Sequence, residues 1–266
     1  MFPCSICRGD TILGNMDGEG HKKTRLRKVG DHMALYAIGD LHLSGGTDKP
    51  MDIFGEQWVQ HHNKIKEKWL ECIGHGDVVL IPGDISWAMN LQEAMIDLKW
   101  IHALPGKKIL LKGNHDYWWN SVTKLNALFE NMSFLQNNFY TYGNIAICGT
   151  RGWMCPNEKK FDAQDEKIYA RELHRLRLSL DEGKKNGYEN IIVMTHYPPT
   201  NDKLEPSGFT AIYEEYRVKK VIYGHLHGTE SFRGALQGKM NGVEYYLVSC
   251  DYLNFTPLKV LNGSVL

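Results

Sequence analysis

Asp40 and His42 stand two positions apart, and so do His225 and His227 much later in the chain. In an extended backbone such residues project to the same side, so each pair can aim two donor atoms at one point. That is the geometry of a metal clip. Between the pairs lie Asp84 after Pro82-Gly83, the run Gly113-Asn114-His115-Asp116, and His196 ahead of Tyr197-Pro198-Pro199. Five of the twelve histidines (His42, His115, His196, His225, His227), with Asp40, Asp84 and Asn114, therefore share one context, directly after a short apolar run and mostly beside a glycine. An isolated Asn-His-Asp triplet is ordinary turn chemistry, and a lone histidine is ordinarily solvated or core. Repetition of the context argues for a site. Carboxylate and imidazole donors without a neighbouring thiol suit Mn, Fe, Zn or Co rather than Ca or an iron–sulfur cluster. These positions exceed the needs of one tetrahedral ion, so two ions sharing a bridging carboxylate is the economical arrangement.

The apolar runs 34–38, 77–81, 108–112, 191–195 and 221–223 read as the strands that deliver these residues, because open α/β sheets bind ligands at strand carboxyl ends. Helical spacing fills the gaps. Ile65, Trp69 and Ile73 mark a helix within 58–73, and Asn90 with Glu93 resembles a capping box ahead of Leu91, Met95, Leu98 and Ile101. A helix is expected over 121–129, and a longer one capped by Asp162 with Tyr169, Leu173, Leu176 and Leu180 on one face. Three strand–helix alternations predict a sheet that begins parallel, whereas Gly143-Asn144 predicts a hairpin and a change to antiparallel pairing. Residues 243–248 read as a closing strand. His61 and His62, near a helix start, read as surface residues.

Residues 1–32 lack hydrophobic periodicity and contain the basic run 21–28, so they read as a poorly ordered leader to a domain at 33–266. Cys4 and Cys7 lack the second pair that a zinc ribbon needs, and six cysteines in 266 residues read as thiols. A formal net charge of +0 provides no global field to recruit nucleic acid or an anionic membrane. No apolar run approaches the roughly 20 residues of a bilayer span. The expected compartment is the cytoplasm, and neither nucleic acid nor membrane is an expected partner; oligomeric state leaves no signal.

In order, the motifs DxH (Asp40, His42), GD (Asp84), GNH followed by an acid (Asn114, His115, Asp116), a lone His196 and GHxH (His225, His227) closely resemble the calcineurin-like metallophosphoesterase superfamily. The resemblance spans about Ala34 to past His227, and the full ordered set is specific where GD or GHxH alone would not be. It implies an α/β four-layer sandwich, two mixed β-sheets flanked by helices, with two divalent ions, Mn, Fe or Zn, at the strand ends. By the same resemblance Asp40, His42, Asp84 and His227 hold one ion, and Asp84, Asn114, His196 and His225 hold the other. Asp84 is then the bridge. The implied partner is a small phosphorylated substrate, and the implied reaction is hydrolysis of a small phosphate ester or diester by in-line attack of a metal-bridging hydroxide, with His115 as general acid. Asp116 either orients that histidine or fixes its loop.

Where the protein Ser/Thr phosphatases extend the second motif to GDxxDRG, this chain has Trp87, Ala88 and Met89 in the last three places, which argues against that branch. A retromer-type scaffold branch keeps the fold but loses the catalytic histidine, and His115 argues against that one; a metal-stabilised, non-catalytic scaffold is the rival reading. The tracts GDLHLS, GDISWAM, GNHDYWW and THYPP look most like a bacterial group of predicted phosphohydrolases. For substrate contacts, Arg151 is the expected phosphate clamp, since a guanidinium matches two phosphate oxygens. Trp118, with Trp87 and Trp153, is expected to stack on a flat group at the rim.

Overall fold

The apolar runs form strands because both of their faces find cover. The computed structural model describes residues 33–157 and 161–263; the expectations for 1–32, with Cys4 and Cys7, lie outside the described residues. In chain order the strands are β1 (Ala34–Ala37), β2 (Val78–Ile81), β3 (Lys107–Leu111), β4 (Met132–Leu135), β5 (Tyr140–Tyr142), β6 (Ile145–Thr150), β7 (Asn190–Thr195), β8 (Lys220–Tyr223), β9 (Gly238–Met240), β10 (Val243–Leu247) and β11 (Leu258–Asn262). The helices are α1 (His61–Cys72), α2 (Leu91–Ala103), α3 (Val122–Asn126), α4 (Ala163–Lys185), α5 (Gly208–Glu215) and α6 (Gly228–Arg233), with short 3-10 turns at Met51–Phe54 and Glu56–Trp58.

Two mixed sheets result, in the orders β11-β1-β2-β3-β4 and β5-β6-β7-β8-β10-β9. β1 to β4 are mutually parallel, as the strand–helix alternation predicts, and β11 closes that sheet antiparallel to β1. The Gly143-Asn144 hairpin joins β5 antiparallel to β6. Side-chain alternation then sorts the core into layers. Leu35, Ala37, Leu80, Ile109 and Leu111 meet Ile147, Ile192, Met194 and Ile222 between the sheets. Tyr36, Val79, Ile81 and Leu110 point the other way, onto Ile65, Trp69, Leu98 and Ile101 of α1 and α2. Behind the second sheet Val193, Val221 and Tyr223 pack on Leu176, Leu180, Phe209 and Ile212 of α4 and α5. The four layers are those that the motif set implies. No helix among the described residues is long and apolar enough to cross a membrane.

Capping fixes the helix starts. Asn90 accepts the Glu93 amide at α2, and Asp162 forms a capping box with Asp165 at α4. The helix expected over 121–129 is only five residues long. Its last residue, Asn126, turns its side-chain oxygen to the Phe134 amide at 2.8 Å and so leads the chain into β4, a strand that sequence reading does not anticipate. α5 and β11 are also unanticipated.

Candidate metal centre

At the carboxyl ends of β1, β2 and β8 the chain turns through conformations that side chains rarely adopt. Asp40, His42, Asp84 and His225 all have positive φ, between 44° and 75°. Left-handed backbone at residues other than glycine is costly, and it clusters where a function over-determines the structure. Backbone hydrogen bonds hold the turns together: the amides of Asp40, His42 and Leu43 donate to the carbonyls of Gly83, Asp84 and Ile85 at 2.9–3.0 Å. Each aspartate also grips a neighbouring motif. Both carboxylate oxygens of Asp40 accept the His225 amide at 3.0 Å, and Asp84 Oδ1 accepts the His115 amide at 2.8 Å. The glycines are explained by this proximity, since a Cβ on Gly113 would come 2.1 Å from Asp84 Oδ1 and one on Gly224 would come 2.2 Å from Asp40 Oδ2.

The structure brings Asp40, His42 and His227 into one group and Asp84, His196 and His225 into another, the ligand-type atoms of each group lying within 4.8 Å of one another. His42 Nε2 and His227 Nε2 are 3.1 Å apart, and His196 Nε2 and His225 Nδ1 are 3.2 Å apart. Asn114 joins the second group, its Oδ1 lying 2.6 Å from His196 Nε2 and 3.0 Å from His225 Nδ1. Asp84 Oδ2 faces both groups, 3.5 Å from His196 Nε2 and 3.9 Å from His42 Nε2. Donors bound at about 2.0–2.2 Å to one ion stand roughly 3 Å apart, so the spacing is that of shared cation ligands. Two of the far ring nitrogens are held as ligand histidines require: His196 Nδ1 by the Pro82 carbonyl and His227 Nδ1 by Asp251 Oδ1, both at 3.0 Å.

Electrostatics point the same way. Burial, and then the neighbouring charge of Asp84, push the Asp40 carboxyl up to about 7 even though nearby His227 pulls it down. Burial likewise raises Asp84. His42 is held well below its ordinary value, and His196 and His225 fall to about 3, chiefly through burial, so their lone pairs are free for a cation. Burial would also lower His227, but Asp251, Asp40 and Asp84 outweigh it and hold that ring above its usual range. Buried carboxylates beside the neutral rings of His42, His196 and His225 fit divalent cations.

A pH dependence follows. Without a cation the neutral form of Asp40 contributes stability that is complete below about pH 4 and lost as the pH rises through about 7. A cation must displace that proton. Apparent Mn affinity of metal-stripped protein should therefore rise with pH between about 5 and 7, by up to about tenfold per pH unit for each proton displaced, from Asp40 and from His227. Calorimetric titrations at pH 5.5, 6.5 and 7.5 measure this, and an affinity independent of pH would contradict it.

A cavity of about 360 Å³ opens beside the groups, lined by His42, Asp84, His225 and His227 and by Met51, Phe54, Trp58 and Trp87. His115 lines it too, its ring 4.4 Å from that of Trp87. Three expectations, those for Trp118, Arg151 and His61, need correction. Trp118 is only 2% exposed and gives its indole N–H to Asp116 at 3.0 Å, so it packs beneath the loop and cannot stack on a substrate. Asp116 is buried, with its carboxylate consumed by that indole and by the amides of Gly113, Ile85 and Ser86, which makes it a clamp between two motifs, the loop-fixing role of the two expected, rather than a reacting group. Arg151 lines a different cavity. His61 is buried rather than on the surface, its Nε2 lying 3.0 Å from the carbonyl of Leu41, between Asp40 and His42. Sequence reading misses Asp251, which follows the closing strand as the other acids follow theirs, and the 3-10 turns carrying Phe54 and Trp58, which have no periodicity to betray them.

A family model described as calcineurin-like phosphoesterase matches residues 33–229. Gene 66 protein of Mycobacterium phage D29 is 27% identical over 201 residues, covering 73% of this chain and 78% of the phage protein. Among solved structures, the phosphopantetheinyl hydrolase of Mycobacterium tuberculosis superposes with a TM-score of 0.51 at 15% identity, over 88% of this chain and 97% of the hydrolase. A protein of unknown function from Aquifex aeolicus gives 0.46 at 16% identity, over 85% and 95%.

Proposed function

Since the chain belongs to the calcineurin-like phosphoesterase family, we propose that it is a dinuclear metal-dependent phosphoesterase hydrolysing a small phosphate ester or diester. One observation carries the reading: two three-residue ligand groups stand side by side, and His115 lines the same cavity. Two divalent ions, Mn, Fe or Zn by the donor set, would supply activation of a shared water and neutralise charge on the phosphoryl oxygens. The protein's own groups do the rest. Asp84 faces both ligand groups with one oxygen while the other steadies the His115 amide. His115 can then protonate the leaving oxygen, a task suited to an imidazole. In this reading residues 33–266 form the catalytic domain and the working compartment is the cytoplasm.

The apolar side of the cavity favours an ester whose organic part is flat or apolar. Phe54 is 59% exposed on that wall, so truncating it leaves the core intact. Phe54→Ala should raise KM for aryl phosphates by about 3- to 10-fold with kcat nearly constant, the signature of lost uniform binding. An unchanged KM would remove the wall from substrate binding. The function itself is tested with purified protein supplied with Mn, assayed on aryl phosphates, aryl phosphodiesters and cyclic nucleotides. Turnover above metal-stripped controls is the expected result. Two bound ions with no ester cleaved would move the protein to the scaffold reading.

A further inference from the structure

A second cavity, of about 460 Å³, lies at the carboxyl ends of β3, β4 and β6 and is lined by Lys112, Arg151, Arg171 and Arg175. It shares no lining residue with the cavity beside the ligand groups. Among the described residues the only acidic side chain lining it is Glu172, which is fully buried. Glu172 is already served by Thr150 Oγ1 at 2.6 Å and by Arg175 Nη1 at 2.8 Å. The other two guanidiniums stand off, Arg171 Nε at 3.5 Å and Arg151 Nη2 at 3.9 Å from the same carboxylate oxygen. Such distances are too long for good hydrogen bonds, so both keep donors to spare. Arg151 Nε is buried with no partner, and the guanidinium is seated 4.7 Å over the Trp153 ring. A structural role for the cluster would need only enough positive charge to neutralise Glu172. Here four cations surround one acid in a chain whose formal net charge is +0.

We propose that this cavity is a second phosphate-binding site, taking a phosphate dianion or the terminal phosphate of an organic ester. Guanidinium forks match two oxygens of such a group, and the buried carboxylate holds the forks in place before the ligand arrives. The two cavities share no lining residue, although the Arg151 carbonyl accepts the His196 amide at 3.0 Å, and phosphate binding to metal-stripped protein tests the site without the proposed reaction. Equilibrium dialysis of inorganic phosphate against metal-stripped full-length protein isolates it. One site is expected there, weakened at least tenfold in the double variant Lys112→Gln, Arg171→Gln, while Arg171→Lys, which keeps the charge, recovers part of the affinity. Arg171 is half exposed, so an unchanged thermal midpoint is expected to show that the fold is intact. Two phosphate sources are separable by kinetics of the Mn-loaded double variant. A KM increase for a bisphosphate ester identifies the substrate's own second phosphate, whereas lost phosphate binding without a KM change identifies free phosphate as an independent ligand. Absence of phosphate binding in the metal-stripped wild type, or binding indifferent to the double variant, would overturn the proposal.

Discussion

Asp84→Asn is expected to abolish metal binding and turnover together while leaving the fold intact. The substitution keeps the shape of the side chain and an Oδ1 able to accept the His115 amide, so the loop contact at 2.8 Å can survive. What changes is charge. Oδ2 of Asp84 is the carboxylate oxygen that looks toward His196 Nε2 and His42 Nε2 at once, and an amide there would leave the two proposed cations without an anionic group between them. Metal affinity should fall by about 10²-fold or more, since even the outer partners of a ligand are worth about 10–100-fold. The metal-free variant should melt no lower than metal-free wild type, because Asp84 is a buried carboxyl whose charge also pushes Asp40 up. Metal content by elemental analysis, turnover, and melting with and without Mn separate these effects. Full metal occupancy in the variant would remove Asp84 from the centre.

Much of this arrangement is legible in the sequence because of periodicity and context. The runs 34–38 and 77–81 are apolar on both faces, which only a covered strand tolerates, and each ends beside a glycine and an acid. Asp162 and Asn90 announce their helices through caps, and the Gly143-Asn144 hairpin falls where turn chemistry puts it. What escapes is set by tertiary contact. β11 alternates partly buried with exposed residues and owes its place to β1, to which it is paired antiparallel. The aromatic residues divide on the same ground: Trp87 and Trp118 both follow a motif, yet one lines the cavity and the other lies under it because Asp116 captures its N–H. Arg151 carries the guanidinium that a phosphate clamp needs, but no spacing rule reveals that it lines another cavity, beside Glu172 twenty-one positions later.

Backbone strain and glycine placement explain why the site residues cannot be exchanged piecemeal. Asp40 and Asp84 each use carboxylate oxygens on a neighbouring backbone amide, and the glycines at 113 and 224 clear the space for those contacts. The αL turns at Asp40, His42, Asp84 and His225 are therefore stabilised by one another rather than by their own sequences. A substitution that removes a side chain without touching this lattice is the cleanest probe of chemistry.

His115 offers that probe. Its backbone amide, not its ring, makes the contact to Asp84, and the ring lies against Trp87 at 4.4 Å in the cavity. His115→Asn should accordingly retain both metal ions, the loop and the melting temperature of wild type. Turnover of esters with poor leaving groups is expected to fall by about 10²- to 10⁴-fold, the range for a lost general acid. Aryl esters whose phenolate departs unaided should lose far less, because their transition state asks for little proton transfer. Comparing kcat across a series of esters graded by leaving-group pKa reads this directly: the slope steepens in the variant if His115 donates the proton. A merely structural histidine would lower all rates alike, or lower metal content with them. Equal loss across the series, or no loss with poor leaving groups, would leave the metal centre standing and assign the proton to water or to another group facing the cavity.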